Sequence, residues 1–179
     1  MKILLHCCCG PCATFPVKSL REEGHKIYGF FYNPNIHPFL EYQKRLEAFQ
    51  NFAVQAELET IMKDEYDLEK FLRETAYRED IRCRFCYYLR MEEAARYARK
   101  GRFDAFSSTL LVSPFQKHGL IKQIGEEVGE RYQVPFLYRD FRDGFSQGVT
   151  ISKEMNLYRQ PYCGCIFSER DRYRKEKKE

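Results

Sequence analysis

The stretch Lys2-Ile3-Leu4-Leu5-His6-Cys7-Cys8-Cys9-Gly10-Pro11-Cys12 joins a short apolar segment to a turn that is rich in cysteine. Residues 2–6 predict a buried β-strand, because the run is short and apolar and a Gly-Pro pair closes it. A helix follows and ends near Glu23, where Gly24 is placed to terminate it. A strand, a turn and a helix in this order begin a βαβ unit, so the stretch favours an α/β fold.

The remainder of the chain alternates strands and helices in the same way. Further strands are predicted at residues 26–32, 58–62, 104–108 and 134–138. Helices are predicted after Pro38, after Asp67, from Phe85 to Lys100 and around Ile121. Helices of this length between strands are typical of parallel sheets. We therefore predict one α/β domain, residues 1–179, Rossmann-like (HUP-like), with a mostly parallel sheet of about five strands flanked by helices and a charged C-terminal helix or tail at residues 168–179.

Composition limits the function only weakly. The net charge of +4 is mildly basic and does not by itself establish a nucleic-acid partner. No apolar run reaches the roughly 20 residues that cross a membrane. The apolar N-terminal run is too short for the core of a signal peptide. We therefore expect a cytoplasmic protein without a membrane partner.

The eight cysteines fall into three groups. These are residues 7–12, the pair Cys83 and Cys86, and the pair Cys163 and Cys165. In a reducing compartment, clustered cysteines indicate metal or redox chemistry more than structural disulfides. Ligands of open parallel sheets bind beyond the carboxyl ends of the strands, and the first group follows the first strand directly. We therefore expect the cysteines to form a functional site at this edge.

Two C-x-x-C segments can supply four ligands for zinc or for an iron–sulfur cluster. Structural zinc suits the spacing of Cys9/Cys12 and of Cys83/Cys86, but it leaves the other cysteines unexplained. Thiol–disulfide exchange is a second alternative, because residues 9–12 read C-G-P-C as in thioredoxin-like proteins. Against it, the motif follows the first strand and has two further cysteines in front.

The third group has a spacing of one residue. A disulfide across Cys163-Gly164-Cys165 closes a small, strained ring, and strained disulfides are readily reduced. Such a pair suits a transient store of two electrons better than a structural staple.

Five motifs together resemble a known family. They are H-C-C-C-G-P-C at residues 6–12, N-P-N-I-H-P-x-x-E-Y at 33–42, R-C-x-x-C-Y at 82–87, S-S-T-L-L-x-S-P at 107–114 and Y-R-Q-x-Y-C-G-C at 158–165. In this order and combination they resemble the cobalamin-independent epoxyqueuosine reductases (QueH). The resemblance implies an oxidoreductase for the last step of queuosine biosynthesis, the reduction of an epoxide to an alkene on a modified base of tRNA.

The same resemblance implies cofactors and site residues. A [4Fe-4S] cluster would be held by Cys8, Cys9, Cys83 and Cys86, and Cys163 and Cys165 would form a redox-active pair. A second, mononuclear iron is also suggested, and the candidates for its ligands are Cys12, Cys7 and Glu41. The proton donor stays open between Tyr87, His6 and a metal-bound water.

The implied substrate is a tRNA with epoxyqueuosine in its anticodon loop, and an unidentified electron donor is required. Unstacked bases of such loops bind aromatic and arginine side chains. The candidates for substrate contacts are Arg82, Arg84, Ser108, Thr109, Tyr158 and Gln160.

Two other classes of function use a similar sheet or similar cysteines. ATP-dependent tRNA sulfur-transfer enzymes need a glycine- and serine-rich phosphate loop after the first strand, where this chain has cysteines. A zinc-stabilised RNA-binding module would leave Cys163 and Cys165 without a role.

Overall fold

A computed structural model describes residues 1–174 and contains one parallel sheet. Its four strands, in the spatial order β3-β2-β1-β4, are β1 (Lys2–His6), β2 (Lys26–Phe31), β3 (Thr60–Met62) and β4 (Ala105–Ser108). The helices are α1 (Gly10–Glu22), α2 (Phe39–Gln55), α3 (Leu68–Thr75), α4 (Arg82–Lys100), α5 (His118–Tyr132), α6 (Phe145–Glu154) and α7 (Ile166–Tyr173). Short 3-10 turns lie at Glu79–Ile81, Thr109–Val112 and Arg142–Gly144.

The strand order places helices on both faces of the sheet. The chain steps outward from β1 through β2 to β3, and then returns to the other side of β1 as β4. Because crossovers between parallel strands are right-handed, the helices of the two directions lie on opposite faces. Helix α1 packs against α2 and α6, and α4 packs against α5. The predicted Rossmann-like α/β class is thereby confirmed.

The direction of the connections reverses between β1 and β4, which pair in parallel. In doubly wound sheets this point leaves a crevice at the carboxyl ends of the strands. The cysteine turn of residues 7–12 follows β1, and Thr109 follows β4. The fold therefore brings both segments to the same crevice.

The prediction of a fifth strand at residues 134–138 is wrong. That segment makes one isolated parallel bridge, between Phe136 and Phe106. The Leu137 carbonyl, which would continue the ladder, instead accepts a hydrogen bond from the Ser107 hydroxyl at 2.8 Å. Pairing stays local because Pro135 has no N–H to donate to the ladder and the Tyr138 N–H donates to the Phe136 carbonyl of its own segment.

Two helices differ from the sequence-based expectation. Helix α4 begins at Arg82, not at Phe85, so that Cys83 and Cys86 both lie in its first turns. Helix α6 was not predicted, since its sequence is rich in Gly, Ser and Thr. The charged C-terminal segment forms α7 up to Tyr173, and the part of the predicted tail at 175–179 lies outside the described residues. None of the helices within residues 1–174 is long and apolar enough to cross a membrane.

Gly10 begins α1 where this helix crosses α2 most closely. A Cβ atom on Gly10 would overlap the carbonyl oxygen of Ala48. We expect Gly10→Ala to lower the free energy of unfolding by about 1–3 kcal/mol through overpacking. Gly119→Ala is the control, because a Cβ there meets nothing within 4 Å; it should stay within about 1 kcal/mol of wild type. Urea unfolding measures both, and equal stabilities would contradict the expectation.

Candidate metal centre

Three cysteines of the turn after β1 converge. Cys9 is the N-cap of α1 with an extended backbone, and Cys12 lies in the first helical turn. The Sγ atoms of Cys8, Cys9 and Cys12 lie within 4.8 Å of one another. Cys8 and Cys9 are buried, and Cys12 is partly exposed. Three soft sulfur ligands at one point suit iron–sulfur or zinc binding, so the residues fit a thiolate-bound metal.

The three thiols of this group differ in pKa. Hydrogen bonds from Cys12 and Cys9 hold the pKa of Cys8 well below its usual range, and a bond from Thr109 adds to the effect. Burial raises the pKa of Cys9, and the hydrogen bond with Cys8 raises that of Cys12. The amino end of α1 also favours negative charge at this point. Cys8 is therefore the thiol of the group that ionises first.

Cys7 is adjacent in sequence but separate in space. It is fully buried, and its Sγ lies 3.2 Å from the carbonyl oxygen of Leu5 in the core below the turn. Burial raises its pKa well above the usual value. These contacts resemble those of a small buried hydrophobe.

The other two cysteine pairs lie close to each other. The pKa of Cys86 is raised to about 12, mainly by burial; the charge of Arg90 opposes the rise, and those of Cys163 and Cys165 contribute to it. Burial also raises the pKa of Cys83, and the same two cysteines contribute. The structure thus places the pair of α4 beside the C-terminal pair, outside the compact group of Cys8, Cys9 and Cys12.

A cavity of about 450 Å³ connects these regions. Its lining includes Cys8, Cys12 and Cys163. Its apolar surface comes from residues that include Leu110, Phe115, Val149 and Phe145. This volume lies in the range of small-molecule sites, so the cavity has room for a ligand beside the cysteines.

Two glutamines connect the cavity to the thiols. Gln160 donates from Nε2 to Cys12 Sγ at 3.0 Å and accepts from Cys9 Sγ at 3.3 Å. Gln116 donates to Cys163 Sγ at 3.4 Å and accepts from the Tyr87 hydroxyl at 2.6 Å. Sequence reasoning included Gln160 but missed Gln116, which carries no motif of its own beyond following the Ser113-Pro114 segment.

A buried ion pair supports the segment that carries Cys163. Arg45 Nε donates to Glu41 Oε1 at 2.7 Å, and both side chains are buried. The same guanidinium donates to the carbonyl oxygens of Tyr162 and Cys163, each at 2.9 Å. Glu41 Oε2 accepts from the Tyr158 hydroxyl at 2.5 Å. Glu41 and Tyr158 thereby position the C-terminal segment.

The predicted substrate residues are distributed over several places. Thr109 and Gln160 line the cavity. Ser108 is fully buried and its hydroxyl contacts His6 Nδ1 at 2.9 Å, below the cavity. Arg82 pairs with Asp171 of α7 at 2.9 Å. Arg84 is exposed and lies 3.9 Å from Glu127 of α5. Of these side chains, Thr109 and Gln160 are the two with direct access to the cavity.

His6 and Tyr87, the two side chains considered as proton donors, are both hydrogen-bonded within the protein. Burial, followed by the charge of Arg90, lowers the pKa of His6 to about 4. His6 is therefore neutral near pH 7, and its two ring nitrogens contact Ser108 and Asn33. Burial raises the pKa of Tyr87, whose hydroxyl keeps its proton and directs it at Gln116.

A doubly wound sheet with converging thiols and a cavity at its switch point defines a class of protein, the cysteine-ligated metal or redox proteins of α/β fold. The sequence matches the family described as "Epoxyqueuosine reductase QueH" over residues 3–171. The chain belongs to this family.

Curated relatives span nearly the whole chain. The epoxyqueuosine reductase QueH of Dehalococcoides mccartyi is 38% identical over 174 residues, which cover 97% of this chain and 96% of that protein. The protein of the same name from Thermotoga maritima is 38% identical over 183 residues, which cover 97% of this chain and 93% of that protein.

Solved structures of low identity share the fold. U34-tRNA thiolase NcsA from Methanococcus maripaludis, described with its [4Fe-4S] cluster, has a TM-score of 0.63 at 13% identity, over 94% of this chain and 61% of that chain. A predicted subunit of a tRNA methyltransferase from Methanocaldococcus jannaschii has a TM-score of 0.54 at 11% identity, over 86% of this chain and 75% of that chain. At these identities the likeness establishes the α/β architecture alone.

Proposed function

We propose that this chain reduces epoxyqueuosine to queuosine in tRNA, the last step of queuosine biosynthesis, with the help of an iron–sulfur cluster. Membership of the QueH family supports the reaction. The observation that carries the proposal is the shared cavity, whose lining includes Cys8, Cys12 and Cys163, so that one ligand has access to thiols of both groups.

The proposed ligands of the [4Fe-4S] cluster are Cys8, Cys9, Cys83 and Cys86. When bound, such a cluster supplies electrons one at a time. Cys8 and Cys9 lie at the amino end of α1, and Cys83 and Cys86 lie in the first turns of α4. The positive ends of both helices favour thiolates. The sulfur of Cys12 is the remaining thiol of the compact group, so Cys12 is the best supported ligand for a second iron. Cys7 and Glu41, the other candidates for that iron, are occupied by the contacts described above.

Oxidation of the C-terminal cysteine pair supplies the electrons and protons that the reaction consumes. Reduction of an epoxide to an alkene consumes two electrons and two protons and releases one water. Oxidation of the Cys163 and Cys165 thiols to a disulfide releases two electrons and two protons. An external electron donor then reduces the disulfide, which the strained one-residue spacing facilitates.

The proposed partner is tRNA, which we expect this cytoplasmic enzyme to bind with its anticodon loop at the cavity. Arg159 and Arg172 line the cavity, and both side chains are exposed. They suit contacts to phosphates, which position the nucleic acid. Phe115 and Phe145 offer the apolar faces on which an unstacked base packs.

The direct test incubates the anaerobically reduced protein with epoxyqueuosine-bearing tRNA and measures the digested nucleosides by mass spectrometry. Loss of one oxygen atom from the modified nucleoside is expected. An unchanged nucleoside, with iron and sulfide present in the protein, would contradict the proposed reaction. ATP-dependent incorporation of sulfur would instead identify a transferase.

The two thiols of the C-terminal pair should differ in reactivity. Cys163 is exposed, whereas Cys165 is buried. We expect iodoacetamide to alkylate Cys163 at least about tenfold faster than Cys165, since reactivity of a thiol requires access. Peptide mass spectrometry at short times measures both rates, and Cys165→Ser is the control that removes the slower site. Faster labelling of Cys165 would contradict the expectation that the exposed thiol reacts first.

A further inference from the structure

Arg90 of α4 is a buried cation without a carboxylate partner. Its side chain is 2% exposed. Its hydrogen bond within residues 1–174 runs from Nε to Asn35 Oδ1 at 3.0 Å, and the ion pairs of that part of the chain include no acid for it. An uncompensated buried charge costs several kcal/mol. No carboxylate of residues 1–174 offsets this charge.

The other fully buried arginine, Arg45, has the acidic partner that Arg90 lacks. Arg45 is 1% exposed and pairs with Glu41 four residues before it on the same helix. On α4, the residue four before Arg90 is Cys86. Residues at this spacing lie on one face of a helix, so a cysteine occupies the place that the acid has in α2. A cysteine side chain supplies negative charge there only when its thiol is deprotonated, either free or bound to a metal.

The charge of Arg90 reaches both sides of the crevice. It lowers the pKa of His6 at the end of β1, where burial is the main cause. It acts in the same way on His37, whose pKa burial lowers to about 4. His6 is also within reach of the charge of Cys8. The guanidinium is thus within electrostatic range of the end of β1, of His37 and of Cys86.

Two neighbouring buried atoms are unpartnered. Within residues 1–174, Asn35 Nδ2 and His37 Nε2 have no hydrogen-bond partner, and both residues are fully buried. The Asn35 side chain lies close to Cys86, but its Nδ2 does not reach hydrogen-bond geometry with the sulfur. Orphaned buried donors next to an unpaired cation indicate a missing acceptor.

We propose that Arg90, held by Asn35, offsets the negative charge of the cysteine-bound metal centre and thereby favours its reduced state. Arg90 acts on the centre through its charge and is not assigned a contact with the substrate. The inference rests on the proposed cluster and adds a residue outside the cysteine motifs. A reduced centre carries one more negative charge than the oxidised centre, so a fixed nearby cation stabilises it more.

The test compares midpoint potentials of anaerobically purified wild type, Arg90→Gln and Arg90→Lys in a dye-mediated titration followed by electron paramagnetic resonance. Arg90→Gln should lower the equilibrium constant for one-electron reduction by about ten- to hundredfold, which is ~59 to ~118 mV at 59 mV per tenfold. Arg90→Lys keeps the charge and should stay within about threefold of wild type. A wild-type potential in loaded Arg90→Gln, or an equal shift in both variants, would overturn the role of charge.

Asn35→Asp is the second variant, in case Arg90→Gln does not fold or load. It keeps Arg90 but places a carboxylate beside its Nε, so the potential should fall in the same direction. A loaded Asn35→Asp protein with the wild-type potential would overturn the inference. Absence of iron and sulfide from the wild type itself would overturn the proposed function, and iron and sulfide analysis separates these two failures.

Discussion

Replacement of Cys8 by alanine should remove the metal centre and lower turnover of epoxyqueuosine-bearing tRNA by more than about a hundredfold. Cys8 has the lowest pKa of the compact group, and of the four proposed cluster ligands it is the one that lines the cavity. Iron and sulfide analysis, the visible absorbance of the protein and the tRNA assay measure the loss.

Cys7→Ala is the matched control for this prediction. Cys7 lies in the same turn but directs its sulfur at the Leu5 carbonyl in the core. Its replacement leaves a small cavity and should retain the metal centre, at a cost of about 1 kcal/mol in stability. Full iron content in Cys8→Ala, or loss of iron from Cys7→Ala, would contradict the assignment.

The same assays separate cluster ligands from the second iron. Cys83→Ala should lose inorganic sulfide together with iron, because Cys83 is a proposed cluster ligand. Cys12→Ala should lose iron while it retains sulfide. Loss of sulfide from Cys12→Ala with retention in Cys83→Ala would instead assign the cluster to Cys12 and its two neighbours in the compact group.

Arg45→Met should lower the free energy of unfolding by about 3–5 kcal/mol, because it leaves the buried Glu41 carboxylate without its counter-ion. It also leaves the carbonyl oxygens of Tyr162 and Cys163 without their donor. For a chain of this length each kcal/mol corresponds to roughly 2–4 °C in melting temperature. Thermal and urea unfolding followed by circular dichroism measure the effect.

Arg96→Met is the control for the buried pair. Arg96 pairs with Glu93 three residues before it, but half of its side chain is exposed to solvent. Exposed pairs contribute at most about 1 kcal/mol, so this variant should unfold near wild type. The double variant Arg45→Met/Glu41→Leu should be less destabilised than Arg45→Met, since it removes the stranded charge. Similar losses in Arg45→Met and Arg96→Met would contradict a structural role for the buried pair.

Much of the fold could be predicted from local patterns. Strand β1 and the cysteine turn are adjacent in sequence, and the apolar run followed by Gly10-Pro11 specifies both. The apolar pattern of residues 134–138 favoured a fifth strand. In the folded chain Pro135 has no N–H for a ladder and the Tyr138 N–H donates to the Phe136 carbonyl, so the segment makes a single bridge.

For the site, the cysteine groups and the resemblance of the motifs indicated a thiolate-bound redox centre. They did not indicate Gln116, because a glutamine has no sequence signal until a thiol and a tyrosine hydroxyl lie on either side of its amide. Arg90 was likewise inconspicuous among many arginines. Its burial and its missing carboxylate are properties of the packed chain.

The sequence by itself therefore determined the α/β class, the turn with Cys8 and Cys9, the three groups of cysteines and, through its motifs, the QueH family. These follow from residue types at short spacing, which need no tertiary contact to be recognised. Tertiary structure decided which sulfur atoms converge, that the pair of α4 lies beside Cys163 and Cys165, and that Arg45 and Arg90 are buried. Those properties depend on distances between segments far apart in the chain, because burial and charge act through space.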